Sequence, residues 1–249
     1  MGILLPYFLR LEAANMIVSE RYTRNLGSFS ETELANIRKK SVCVVGCGGL
    51  GGFVADSLAR FGVGRLTLID GDVFCSSNLN RQLFSTKKNL GQNKALATAD
   101  ALHIINSEVA VTAHPLMLNA ENAPSLLAGH DVIIDCLDSI AARRMLGFAC
   151  ENLKVLLVHG AISGLYGQVA CIYPGNGLMN VIYPVSSTQE PDNVLGNPIF
   201  APQLIAAMQS CEAVMHLAGR ESTLYNRILY VNMVDHDYRI VQLMNADLS

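Results

Sequence analysis

The stretch Val42-Cys43-Val44-Val45-Gly46-Cys47-Gly48-Gly49-Leu50-Gly51 joins two periodicities in a few residues. Its first half is a short run of β-branched and small apolar residues, the composition of a parallel strand buried on both faces. Its second half is rich in glycine, and from there apolar residues recur at Leu50, Phe53, Val54, Leu58 and Phe61, the spacing of a helix with one buried side. The reading is strand, glycine turn, helix.

Outward from this stretch the alternation continues. Leu66–Ile69 reads as a second strand ending on Asp70, and Asn93–Ile105 as a helix with Ala95, Leu96, Ala99, Leu102 and Ile105 on its buried side. Strand-like Val109–Ala113, Val132–Cys136 and Val155–Val158 are separated by helical Ala120–Leu127 and Ala141–Cys150. Strands alternating with helices predict an α/β fold with a doubly wound, mainly parallel, Rossmann-like sheet. Upstream, Ser30 and Glu33 form a capping-box pattern opening a short helix. Downstream, Gly167–Tyr173 reads as a strand, 176–198 as a connection rich in Pro, Gly, Ser and Asn, and Gln203–Leu217 as a helix. Ile228–Val234 and Tyr238–Leu243 flank a turn and predict a C-terminal antiparallel extension. The organisation expected is an N-terminal arm over residues 1–29, with Met16 a candidate start, and a single domain over 30–249 with a crossover loop at about 174–200.

Composition narrows the class. Of 249 residues 51% are hydrophobic and 16% charged, which excludes a disordered chain, a collagen and a coiled coil. Eighteen basic against 21 acidic residues give a net charge of -3, so no broad electrostatic footprint for nucleic acid or an acidic membrane is expected. Seven cysteines without any C-x-x-C pair support neither a disulfide framework nor a zinc ribbon and point to a reducing, cytoplasmic setting. Met1–Leu9 is apolar but lacks a basic flank and contains Pro6, unlike a signal peptide. Val155–Gln189 carries no Asp, Glu, Lys or Arg, yet glycines and prolines interrupt it throughout; it reads as buried strands and turns rather than a membrane span.

Gly46, Gly48, Gly49 and Gly51 form a G-x-G-x-x-G pattern between strand and helix. Glycines let the backbone approach phosphates, the helix N-terminus attracts their charge, and the strand-end carboxylate of Asp70 suits ribose hydroxyls. This pattern alone says nucleotide; hydride transfer to a dinucleotide and a ligand-free tight turn both remain open.

The segment after the second strand is more specific: Asp70-Gly-Asp72, then Ser77-Asn78-Leu-Asn-Arg81-Gln82, then Gly91-Gln-Asn-Lys94. It resembles the adenylating domain of the ThiF/MoeB/HesA family, relatives of ubiquitin-activating enzymes, whose hallmark is S-N-L-x-R-Q followed by G-x-x-K. The resemblance extends to Arg21-Tyr-Thr-Arg24, to Asp135-Cys-Leu-Asp138 and to Gly167-Gln168, and covers roughly Arg21 to Leu217. Its pattern is that of MoeB-like members without zinc cysteines.

The resemblance implies an adenylyltransferase using ATP and Mg2+ to activate the C-terminal carboxylate of a small ubiquitin-like sulfur-carrier protein with a Gly-Gly end. Adenylation of a small-molecule, peptide or tRNA-borne carboxylate is the alternative within the family. Arg81 and Lys94 are the implied phosphate clamps, with Asn78 as a neutral hydrogen-bonding partner and Ser77 and Asp72 beside them. Asp138 is the implied magnesium ligand, and Ser139 stands where the family usually has Asn. Arg24 is implied to reach the phosphates of the other subunit of a homodimer. An alternative for Asp138 is the N-cap of the helix that follows. Cys211 falls among Leu204, Ile205, Met208 and Met215 and reads as core; Cys75 lies in a polar loop; no cysteine occurs in the crossover loop. Adenylation without a thioester, and no zinc site, is the expectation. The six histidines show no paired ligand spacing and read as packed or surface residues. A terminal carboxyl has a pKa of about 3.3 to 3.7, so the reaction needs no general base.

Overall fold

β1 (Ser41–Val45) is buried at every position, and its alternate residues point into two separate cores, as strand geometry requires. Val42 and Val44 join one, Cys43 and Val45 the other. The computed structural model describes residues 18–185, 195–225 and 227–242. β1 pairs in parallel with β2 (Arg65–Ile69) and β4 (Val132–Asp135), β2 with β3 (Ala110–His114), and β4 with β5 (Leu156–Ser163). β5 then pairs antiparallel with β6 (Tyr166–Ile172), followed by β7 (Arg227–Asn232) and β8 (Asp237–Gln242). The sheet order is β3-β2-β1-β4-β5-β6-β7-β8, a parallel half extended by an antiparallel one. The doubly wound reading and the terminal hairpin are both present.

α1 (Glu31–Ile37), α2 (Gly51–Phe61), α3 (Lys94–Ile105) and α7 (Phe200–Leu217) cover one face. α4 (Ala123–Leu127), α5 (Ile140–Leu153) and α6 (Leu178–Ile182) cover the other. The capping box is formed in full: Glu33 N–H donates to Ser30 Oγ at 3.3 Å and Ser30 N–H to Glu33 Oε2 at 2.7 Å. Arg220, just beyond α7, donates to both Glu33 oxygens and holds that carboxyl down to about 2. α7 is fixed to the sheet by Gln209, whose Nε2 donates to the carbonyls of Asp135 (2.8 Å) and Val158 (3.2 Å). Gly160 leaves the space for it: a β-carbon there would lie 2.3 Å from Gln209 Cδ.

Three sequence expectations are corrected. Leu96 is 46% exposed, because the covered side of α3 runs through Ala95, Thr98 and Leu102 and Leu96 falls a quarter-turn away. Cys211 is exposed, because α7 buries the stripe Ile205, Gln209, Ala213 and Leu217 and Cys211 faces away from it. β5 runs on to Ser163, lengthened by its antiparallel pairing with β6. The crossover loop contains α6, and its residues 186–194 lie outside the described residues. Among the described residues no helix is long and apolar enough to cross a membrane.

Ahead of α1, Glu20–Asn25 form a short 3-10 helix that buries Tyr22. The Tyr22 hydroxyl accepts from Asn106 Nδ2 at 2.8 Å, and the same amide donates to Ala59 O at 2.7 Å. Ala59 lies in the last turn of α2, and Asn106 caps the C-terminus of α3. Both helices return from the carboxyl edge of the sheet, so Arg24 is displayed, exposed, at the amino edge.

Candidate active site

Strand order reverses between β1 and β4, and in open α/β sheets the crevice at such a switch point, beyond the carboxyl ends of the strands, takes ligands. A cleft of about 530 Å³ opens there, within the range of roughly 300–1,000 Å³ usual for small-molecule sites. Its floor is the turn from β1 to α2. Gly46 has φ +93° and a β-carbon on it would lie 2.6 Å from Cys136 O; one on Gly51 would lie 1.8 Å from Gly46 O. Gly48 and Gly49 line the cleft directly, beside the N-terminus of α2, where partial positive charge favours phosphate. Gly51 lies behind this surface and allows the turn to close. Gly51→Ala is expected to lose about 3 kcal/mol or more of stability through overpacking against backbone. Urea unfolding checks this, and a loss below about 1 kcal/mol would show that the turn relaxes.

β2 supplies the first wall. Asp70 Oδ2 accepts from Cys47 N–H at 2.6 Å and Oδ1 from Asp72 N–H at 2.8 Å. Burial raises its carboxyl pKa, and these two backbone donors oppose the rise. Lys94, the first residue of α3, is buried and its Nζ donates to Asp72 Oδ2 at 2.9 Å. Arg81 is held by Ser77 O and Asn80 Oδ1, both at 2.9 Å from Nη1. Asn78 turns inward instead, with Oδ1 accepting from Cys75 N–H at 3.0 Å; it braces the loop that carries Arg81 rather than lining the cleft. Ser77 contributes its carbonyl to Arg81, and its hydroxyl lies 3.1 Å from Cys75 Sγ, a hydrogen bond that lowers the pKa of this exposed thiol. Burial pushes the thiols of Cys47 and Cys136, which flank the cleft, strongly up.

The end of β4 supplies the opposite wall. Asp138 is exposed and lines the cleft with Ser139. Ser139, not Asp138, is the N-cap of α5, its Oγ accepting from Ala142 N–H at 3.3 Å. The structure thus gathers Gly46, Gly48, Gly49, Asp70, Asp72, Arg81, Lys94, Asp138 and Ser139 around one cleft. It leaves Gly51 and Asn78 buried behind the wall, Ser77 exposed outside the cleft, and Arg24 at the other edge of the sheet. Cations and carboxylates meet beside a glycine turn.

A family model described as the ThiF family matches residues 22–248. The chain belongs to the ThiF family. It is 32% identical over 231 residues to the molybdopterin-synthase adenylyltransferase of Escherichia coli, covering 90% of this chain and 92% of that one. It is 33% identical over 235 residues to the adenylyltransferase and sulfurtransferase MOCS3 of Danio rerio, covering 90% of this chain but 50% of that protein. The chain therefore spans about half the length of several of the curated relatives it matches. Among solved structures, E. coli MccB with ATP superposes with a TM-score of 0.81 at 18% identity, over 94% of this chain and 74% of MccB. PaaA superposes with a TM-score of 0.78 at 20% identity, over 93% and 78% of the two chains. At that identity the two structures speak to the fold alone.

Beyond the candidate site residues named from the sequence, the cleft is also lined by Gln82, Met117, Arg143, Ile162 and Asn197. Gln82 stood within the quoted motif. Arg143 stands one turn into α5 beside Arg144, and nothing in the spacing set one arginine apart from the other. Its Nε and Nη2 donate to Leu137 O at 3.1 and 2.7 Å, gripping the turn that bears Asp138. Met117 and Asn197 come from segments distant in sequence and left no local signal.

Proposed function

We propose that this chain is an ATP-dependent adenylyltransferase acting on the C-terminal carboxylate of a small ubiquitin-like sulfur-carrier protein ending in Gly-Gly. The observation that carries this reading is that Arg81, Lys94 and Asp138 line one cleft beside the glycine turn. A carboxylate oxygen attacks the α-phosphorus of ATP, the bond from that phosphorus to the bridging oxygen breaks, and pyrophosphate leaves with the electron pair. Negative charges are forced together in this step, so preorganised cations supply most of what the protein contributes. Lys94 is paired with Asp72, and the incoming phosphates compete for its ammonium. Asp70 is placed for ribose hydroxyls. No proton moves, because the carboxylate is ionised at neutral pH.

Mg2+ takes one or two carboxylates together with phosphate oxygens and water; the exposed Asp138 carboxylate fits that requirement and would hold the ion. There it would offset the charge on the phosphate oxygens. Arg24 completes the reading: at the amino edge it is remote from its own cleft, and it serves the cleft of a second copy in a homodimer. Adenylation of a peptide, small-molecule or tRNA-borne carboxylate uses the same geometry with a different acceptor.

Pyrophosphate exchange into ATP, measured with carriers ending in Gly-Gly, tests the reading. Exchange dependent on the carrier is the expected result; no exchange with any carrier, alongside tight NAD(H) binding, would overturn it. Asp138→Asn is expected to raise the Mg2+ concentration needed for half-maximal exchange, and an unchanged magnesium dependence would remove Asp138 from the metal site.

A further inference from the structure

A ring of buried hydrogen bonds lies behind the Asp138 turn, centred on His159 of β5. Asp135 and His159 are both 0% exposed. His159 Nδ1 lies 2.7 Å from Asp135 Oδ2, and its Nε2 lies 3.0 Å from Gln168 Nε2 and 3.3 Å from the Tyr183 hydroxyl. A carboxylate accepts and an amide nitrogen donates, so the partners dictate the tautomer: Nδ1 carries the proton and Nε2 accepts. The Tyr183 hydroxyl accepts in turn from Arg143 Nη1 at 2.9 Å. The ring closes on one residue, because Asp135 Oδ1 accepts from Leu137 N–H at 3.0 Å while Arg143 grips Leu137 O. Both peptide groups of Leu137, the residue before Asp138, are therefore held from within.

We propose that His159 is a positioning residue for the nucleotide site, acting through Asp135 and Leu137 to set the direction of Asp138. A buried carboxylate has strict hydrogen-bonding requirements, and with one oxygen satisfied by the imidazole its other oxygen is turned to the Leu137 amide. Without the Nδ1–H donor the carboxylate rotates or draws in water, and the turn loses its fixed end. Tyr183 extends the same ring to the turn just after α6, within the crossover loop, so that turn and the one bearing Asp138 share one set of bonds. This inference rests on the nucleotide reading above and adds a residue that touches neither nucleotide nor metal.

The test is calorimetric binding of ATP, with and without Mg2+, to the wild-type chain and to His159→Leu, His159→Asn, Asp138→Asn and the His159→Leu/Asp138→Asn double variant. Removing outer partners of metal ligands costs about tenfold or more in affinity. His159→Leu should weaken Mg·ATP about tenfold and metal-free ATP little, and it should add nothing in the Asp138→Asn background. His159→Asn, whose amide can replace the Nδ1–H donor, should recover most of the loss and keeps the test informative if the leucine variant fails to fold. Equal Mg·ATP affinity in wild type and folded His159→Leu would overturn the inference alone, as would a loss of about tenfold or more in His159→Asn or additive losses in the double variant. No Mg·ATP binding by the wild type would overturn the functional reading and this inference together.

Discussion

Arg81→Ala and Lys94→Ala are each expected to lower the proposed carrier-dependent pyrophosphate exchange by about a hundredfold or more, the loss usual when one preorganised charge-stabilising donor is removed, while the folded state persists. Persistence follows from what each side chain touches. Arg81 is half-buried and held by a carbonyl and an amide oxygen, groups that water can satisfy once the guanidinium is gone. Lys94 is buried, but its partner Asp72 is 57% exposed, so its loss leaves no unpaired charge in the core, the situation that makes broken ion pairs costly. Lys94→Ala should therefore cost more stability than Arg81→Ala, through lost packing of the buried stem, at a similar cost in activity. Exchange rates measured beside thermal melting curves separate the two effects. Near-normal exchange in both variants would mean that the cleft is not the site of chemistry.

Mixing inactive chains gives the second large effect. Arg24→Ala and Arg81→Ala proteins, each inactive alone, should regain activity when combined in equal amounts and allowed to exchange subunits. If each cleft uses its own Arg81 and the partner's Arg24, a heterodimer has one cleft with both arginines and one with neither. Half of the dimers in a random mixture are heterodimers, so about a quarter of wild-type activity returns. The geometry behind this is the position of Tyr22, whose bonds to Asn106 hold the Arg24 segment at the amino edge of the sheet, while the cleft lies at the carboxyl edge. Absence of recovery, with subunit exchange demonstrated by affinity tags, would mean that Arg24 acts within its own chain or not at all.

Much of this architecture is legible along the chain because the relevant signals are local. A run such as Val42–Val45 has one good solution, a strand buried on both sides, and Gly46 to Gly51 allow the sharp return into α2. Ser30 and Glu33 satisfy each other across one helical turn and needed no tertiary partner to be recognised. The same locality explains the errors. Leu96 and Cys211 lie on helices apolar nearly all round, where spacing does not say which side meets the sheet; the packing of α2 against α3 and α7 decided it. Asp138 and Ser139 are adjacent and both suit an N-cap; the path of the backbone leaving β4 gave the cap to Ser139 and left Asp138 on the cleft wall.

The sequence by itself determined the alternating sheet and the glycine turn, which rest on spacing within a strand or a turn, and the motifs of the family resemblance named Asp70, Asp72, Arg81, Lys94 and Asp138 but not Arg143 at the cleft. Only the tertiary structure decided that Asn78 braces its loop from behind, that Arg24 stands at the opposite edge from its own cleft, and that Asp135, His159, Gln168, Tyr183 and Arg143 form one buried ring. Those residues come from four elements and the turn after α6, and a hydrogen bond between them has no expression in sequence spacing. It exists because parallel pairing puts Asp135 beside His159 in register and antiparallel pairing brings β6 back alongside, placing Gln168 against the same imidazole.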